Sequence, residues 1–187
     1  MATMSGFFQS MQPGTSRQKT GWAVAGVICA GLCAGYEGFA AHPYVDTVGT
    51  GRPITWCYGE TKADGPVPPM SATFTKQQCT DMLVQSLVKY DNGVKQYVKV
   101  IMGPQTEAAM VDAAYNLGYG VFAHGAMTTY LNKGGDFNPN GAQSATYRAN
   151  HPHACDALKA YVRAQGRVLT GLVRRRASEA ALCHKED

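Results

Sequence analysis

Two carboxylic acids in unlike surroundings mark the stretch from Tyr36 to Thr61. Glu37 is set among apolar and small residues: Tyr36, Gly38, Phe39 and Ala40. Asp46 follows nine positions later, at the head of a segment rich in Gly, Thr and Pro. That composition suits a tight β-hairpin and not a helix. Glu37 is therefore expected at or near a helix end, and Asp46 on the neighbouring hairpin. An apolar setting raises a carboxyl pKa and keeps the acid protonated, while a polar, turn-rich setting keeps its neighbour ionised. A proton donor facing a carboxylate that handles water is the pair that glycosidic bond cleavage requires. Spacing alone does not decide the matter, because most acid pairs at such a separation are solvated surface charges.

The longer string E-G, P-Y-x-D, G, then T-x-C-Y-G-x-T, resembles the phage lysozymes of the T4-like glycoside hydrolase group, especially the endolysins of lambdoid phages. The resemblance implies an α+β fold that is mainly α, with a small β-hairpin lobe and a helical lobe joined by a long helix. It implies a catalytic Glu, Asp and Thr, which fall here on Glu37, Asp46 and Thr55. The step of nine positions from Asp46 to Thr55 exceeds the family's usual gap, and Thr-Gly-Arg-Pro-Ile reads as a lengthened turn. Thr50 and Thr47 are alternatives for the third position. The W-C-Y-G-E-T that follows Thr55 matches the family's next signature and favours Thr55.

Further along, N-L-G-Y-G-V-F…L-N-K-G is similar to the family string whose Asn and aromatic residues line the sugar cleft, which implies Asn116 and Phe122. Gly125 and Ala126 stand where relatives often carry Ser-Thr. The C-terminal G-R-V-L-T-G-L-V-R-R-R-A-S-E-A-A-L-C matches the family's ending, and by resemblance Arg174 pairs with Glu37. A cation there lowers a carboxyl pKa, so Arg174 is expected to orient Glu37 and to be partly displaced by substrate. The resemblance also implies disulfides Cys57–Cys79 and Cys155–Cys183, each contributing roughly 2–4 kcal/mol. It runs from about Tyr36 to Cys183 and is strongest at its two ends.

The totals agree with one domain and a short appendage: 187 residues, 45% hydrophobic and 16% charged. The net charge of +4 favours an anionic polymer such as peptidoglycan. No stretch interleaves basic and aromatic residues as a nucleic-acid binder does. Six cysteines, an even count, fit an oxidising compartment. His151, His153, Cys155, Cys183 and His184 are ligand types for zinc, but they lack C-x-x-C or H-x-x-x-H spacing. No metal, no cofactor and a monomer are expected.

Residues 1–19 are polar and are expected to be a disordered cytoplasmic N-terminus. Residues 20–36 carry no charge, yet hold four glycines and four alanines among 17 residues. That is the lower limit of the ~17–25 residues of a spanning helix, and only weakly apolar. Arg17 and Lys19 precede it, so the N-terminus should stay inside while the host secretion machinery exports the rest. Three readings are open: a buried core helix, a cleaved signal peptide, or a releasable signal-anchor like that of endolysins held in the host inner membrane and later let go. Weak hydrophobicity favours the third, because too little is gained per residue to hold the helix permanently. The protein would then pass from inner membrane to periplasm, with Glu37 pinned at the membrane face until release. Cys29 and Cys33, spaced i, i+4, share a helix face and make a poor mutual disulfide. They are either buried free thiols or, after release, exchange partners that switch the enzyme on.

The catalytic domain is thus expected over 37–187. Thr75 and Gln78 read as a capping box for a helix running to about Ile101, with Gly93 as a kink. Pro104 opens a second helix to Gly118. A short helix ends near Leu131–Asn132, residues 133–153 read as a polar surface loop, and 153–165 as helix. The expected activity is hydrolysis of peptidoglycan between N-acetylmuramic acid and N-acetylglucosamine, with inversion implied by the resemblance. Glu37 protonates the leaving oxygen, and Asp46 with Thr55 activates water. A lytic transglycosylase using Glu37 alone, or an inactivated membrane-tethered wall-binding scaffold, are the alternatives.

Overall fold

The computed structural model describes residues 16–47 and 51–186. Helix α1 (Ser16–Glu37) starts ahead of the expected position, and residues 1–15 lie outside the described part. A helix this rich in glycine holds its shape through packing more than through propensity. Ala25, Cys29 and Cys33, one turn apart, form its buried stripe, and Val24 and Val27 lie on the exposed side. Among the described residues no helix is long and apolar enough to cross a membrane.

Strands β1 (Ala40–Val45) and β2 (Ile54–Cys57) form the expected antiparallel hairpin. Tyr44 pairs with Thr55 and Val45 with Ile54, and the register slips between Ala40 and Tyr44. Pro43 lies in that gap and has no N–H to give the ladder. Asp46 donates its backbone N–H to Pro53 at 2.9 Å, closing the loop below residues 48–50, which are not described.

Helix α2 (Lys76–Lys95) opens on the capping box of Thr75 and Gln78. Cys79, Leu83, Leu87, Tyr90 and Val94 give it one buried face. It stops short of Ile101, where Lys95 bridges Asp91 (2.7 Å) and Glu107 (2.6 Å) and ties α2 to the next helix. Gly93 is not a kink: a Cβ there would fall 2.5 Å from the Tyr119 ring, so glycine makes room for the 3-10 turn Tyr119–Phe122.

Helix α3 (Pro104–Leu117) is buried along most of its length and packs against α1, α2 and the last helix, so it is the centre of the core. Helices α4 (Ala126–Gly134) and α5 (Ala145–Ala157) pack on one another. Helix α5 corrects the expectation of a loop over 133–153. Ser144 caps it through the Tyr147 N–H, and its buried face is Tyr147, His151, Ala154 and Cys155. That face is half polar and the helix contains Pro152, which hides the apolar period. A 3-10 turn (Leu158–Ala160) and a two-residue hairpin, β3 (Arg163–Ala164) with β4 (Arg167–Val168), replace the helix expected up to Gln165. Helix α6 (Thr170–Cys183) closes the fold. Disulfides join Cys57 to Cys79 and Cys155 to Cys183, with Cα atoms 5.0 and 5.6 Å apart. The first ties the hairpin to α2, and the second ties α5 to α6.

Candidate active site

Glu37 is the last residue of α1, and its side chain is 22% exposed. Arg175 of α6 donates to its Oε1 in a short ion pair. The same guanidinium forks onto Asp112 of α3, Nε to Oδ2 and Nη2 to Oδ1, both at 2.9 Å. Such a two-bonded fork fixes direction as well as charge. Three helices thus meet on Glu37: α1 carries it, α6 holds it, and α3 holds the holder.

Arg174, expected as the partner of Glu37, is exposed, and only its backbone carbonyl takes part, accepting from Tyr36 Oη at 3.2 Å. The correction follows from helix geometry. At about 100° per residue, the nine steps from Arg174 to the disulfide-bonded Cys183 put the two on opposite faces. Arg175 and Arg176 fall on the buried side with Glu179 and Ala180. Two of the three arginines are therefore buried, and spacing to Cys183 was the signal that could have separated them.

Arg176 donates to Glu179 at 2.5 Å and to Asn116 at 3.2 Å. Burial and its bond to Asp112 push the Glu179 carboxyl up to about 10. Asp112 resists burial: its bonds with Glu179 and the charge of Arg175 hold it below the usual carboxylate range. The surroundings thus favour the negative charge on Asp112, beside Arg175, over one on Glu179.

The hairpin approaches from the other side. At Gly59 (φ 93°) a Cβ would sit 2.8 Å from Glu37 Oε2, so the turn after β2 closes directly on the acid. Tyr115 anchors that turn by donating to the Tyr58 carbonyl at 2.9 Å. Burial, then the charges of Asp46 and Glu37, push the Tyr44 hydroxyl upward. Thr55, opposite Tyr44, is 4% exposed, and its Oγ1 has no hydrogen-bond partner among the described residues. Thr47 is exposed, and Thr50 lies outside the described residues.

Asn116 is half-buried at the edge of this cluster. Phe122, expected on the cleft wall, is fully buried and belongs to the core. The 3-10 turn Tyr119–Phe122 turns the aromatic of the G-x-F string into the core. Asp112 and Glu60 were not found from sequence. Glu60 is 1% exposed, accepts from the Tyr58 N–H at 2.7 Å through Oε2, and is pushed up to about 7 by burial.

Among the described residues two clusters have metal-ligand types, and both are engaged internally. Cys155 and Cys183 share a disulfide while His151 bonds Thr106 at 2.7 Å. Cys29 and Cys33 are free, buried thiols near Asp112, whose oxygens already serve Arg175 and Cys33.

The sequence profile of the Phage lysozyme family matches residues 34–179. The SAR-endolysin of Bacteriophage PS119 is 29% identical over 163 residues, covering 86% of this chain and 85% of that protein. The SAR-endolysin of Bacteriophage PS34 is 30% identical over 163 residues, covering 86% and 85%. Among solved structures, the endolysin from Escherichia coli O157:H7 phage FAHEc1 aligns with a TM-score of 0.66 at 20% identity, covering 83% of this chain and 89% of that one. The active form of P1 phage endolysin Lyz aligns at 0.64 with 21% identity, covering 86% and 83%. At such identities the structures speak for the fold alone, but the profile spans most of the chain, and the chain belongs to the phage lysozyme family.

Proposed function

We infer that this lysozyme-family protein is an endolysin that hydrolyses the β-1,4 bond between N-acetylmuramic acid and N-acetylglucosamine in peptidoglycan. The carrying observation is the placement of Glu37 between the Arg175 guanidinium and Gly59 of the hairpin lobe. A carboxyl held at the seam of two lobes presents its proton to a chain lying in that seam. Glu37 gives the proton to the glycosidic oxygen. Water attacks the anomeric carbon from the opposite face, and its proton passes to Asp46. Thr55 Oγ1, buried and without a partner among the described residues, is suited to hold that water. In this reading Asn116, half-buried beside Arg176, touches the bound sugars from the helical side.

Residues 20–36 serve, in this reading, as an anchor in the host inner membrane before release to the periplasm. The names of the SAR-endolysin relatives support this, and so does the weakly apolar, glycine-rich face that α1 leaves exposed. In the membrane, α1 cannot pack on α3, and Glu37 cannot meet Arg175. The Glu37→Gln protein, which keeps the shape and loses the proton, tests the assignment. General acid catalysis contributes about 10²–10⁴-fold, so wall clearing should fall by that range. Clearing at the wild-type rate would remove Glu37 from the chemistry.

A further inference from the structure

The thiol of Cys33 lies on none of the surfaces that substrate reaches. It is fully buried one turn before Glu37, on the same helix. Its S–H donates to Asp112 Oδ1 at 2.8 Å. That oxygen also accepts from Arg175 Nη2, and Arg175 Nη1 holds Glu37. Helix α1 therefore hydrogen-bonds the Arg175 cluster at two levels, at its end through Glu37 and a turn earlier through Cys33, while the Tyr36 ring lies against the guanidinium.

Resting on the glycosidase reading above, we propose that Cys33 is a positioning residue for the general acid, acting through Asp112 and Arg175. Glu37 sits at a helix terminus, where the last four carbonyls lack intrahelical partners and the turn is held from one side only. A second contact from the same helix to the same guanidinium cluster fixes the rotation and height of that terminus. Buried hydrogen bonds of this kind are costly to leave half-made, so the docked position is sharply defined. The groups that face this cluster are Cys29, Cys33, Tyr36 and Glu37 from α1, Asp112 and Asn116 from α3, and Arg175, Arg176 and Glu179 from α6. Without the thiol donor, Asp112 draws more on Arg175, and the guanidinium withdraws from Glu37. Glu37 is then held in a looser position.

Cys29 supplies the control. It is equally buried on the same face, 3.9 Å from Cys33 Sγ, and lies close to Asp112, but Cys33 and not Cys29 is the thiol that hydrogen-bonds that carboxylate. The test compares Cys33→Val, Cys33→Ser and Cys29→Val in the full chain by thermal melting and by kcat and KM on purified peptidoglycan. Cys33→Val should lower kcat about 10-fold with KM unchanged, within the range that a small misplacement costs. Cys33→Ser, which keeps a donor, should restore most of that loss. Cys29→Val should leave kcat in place. Should Cys33→Val fail to fold, Cys33→Ala removes the donor without adding bulk and carries the same expectations. Equal losses for the two valine variants, equal losses for Ser and Val at position 33, or a loss that falls on KM and not on kcat would each overturn the proposal. Glu37→Gln run in parallel separates the two claims. If it stays active, the glycosidase reading fails; if it is dead while Cys33→Val has wild-type kcat, only the positioning role fails.

Discussion

Replacing Glu60 with Gln should make the protein relatively more stable as pH rises. Glu60 is 1% exposed, and burial pushes its carboxyl from an ordinary value of 4.5 to about 7. Oε2 accepts the Tyr58 N–H, while Oε1 has no partner among the described residues. The folded state thus binds the Glu60 proton more tightly than the unfolded state does. Its contribution is fully present below about 4.5 and is lost as pH rises through 7. Each pKa unit corresponds to about 1.4 kcal/mol, so ionising Glu60 costs the wild type on the order of 3 kcal/mol between pH 4 and pH 8. Gln stays neutral throughout. Its amide adds a fixed offset, because the new N–H₂ group needs an acceptor, but that offset does not depend on pH. The assay is urea unfolding of both proteins at pH 4, 6 and 8 with disulfides intact. The variant-minus-wild-type stability should rise steadily across the series. Glu179 and Asp91 titrate in both proteins and largely cancel in the difference. A flat or falling difference would show that Glu60 is not held protonated by its surroundings.

Arg175→Ala strands the buried Asp112 charge, and it should cost about 3–5 kcal/mol in chemical denaturation and abolish wall clearing; Arg174→Ala, at an exposed site, should stay within about 0.5 kcal/mol. Gly59→Ala adds a methyl 2.8 Å from Glu37 Oε2 at a φ of 93°, so kcat should drop while denaturation shows a loss of about 1–2 kcal/mol. Replacing Cys57 and Cys79 together by Ser releases the hairpin from α2 and should lower stability by roughly 2–4 kcal/mol, read as a fall in melting temperature.

Much of the hairpin lobe is legible in the chain because its signals are local. The Gly, Pro and Thr between Asp46 and Thr61 dictate a turn, and Thr75 with Gln78 caps α2 through contacts three residues apart. Pro104 and Gly118 bracket α3 for the same reason. Helix α5 is not legible, because His151 and Tyr147 occupy its buried face and satisfy it through stacking and hydrogen bonds, which leave no apolar period. The site divides in the same way. Glu37 stands out by its apolar neighbours. The choice between Arg174 and Arg175 depends on the rotation of α6, which only the position of Cys183 betrays. Asp112 is invisible in sequence. It is one acid amid the alanines of α3, and its role arises only where three helices cross.

The central claim is that Glu37 and Asp46 divide proton donation from water handling across one groove. The most direct measurement is mass spectrometry of the sugar products released from purified peptidoglycan by the full chain, with Glu37→Gln and Asp46→Asn alongside. The wild type should release fragments ending in a hydrated reducing N-acetylmuramic acid, and both variants should release almost none. Fragments ending in the anhydro sugar, lighter by one water, or full release by the Asp46→Asn protein, would show that no water is activated there and would contradict the account.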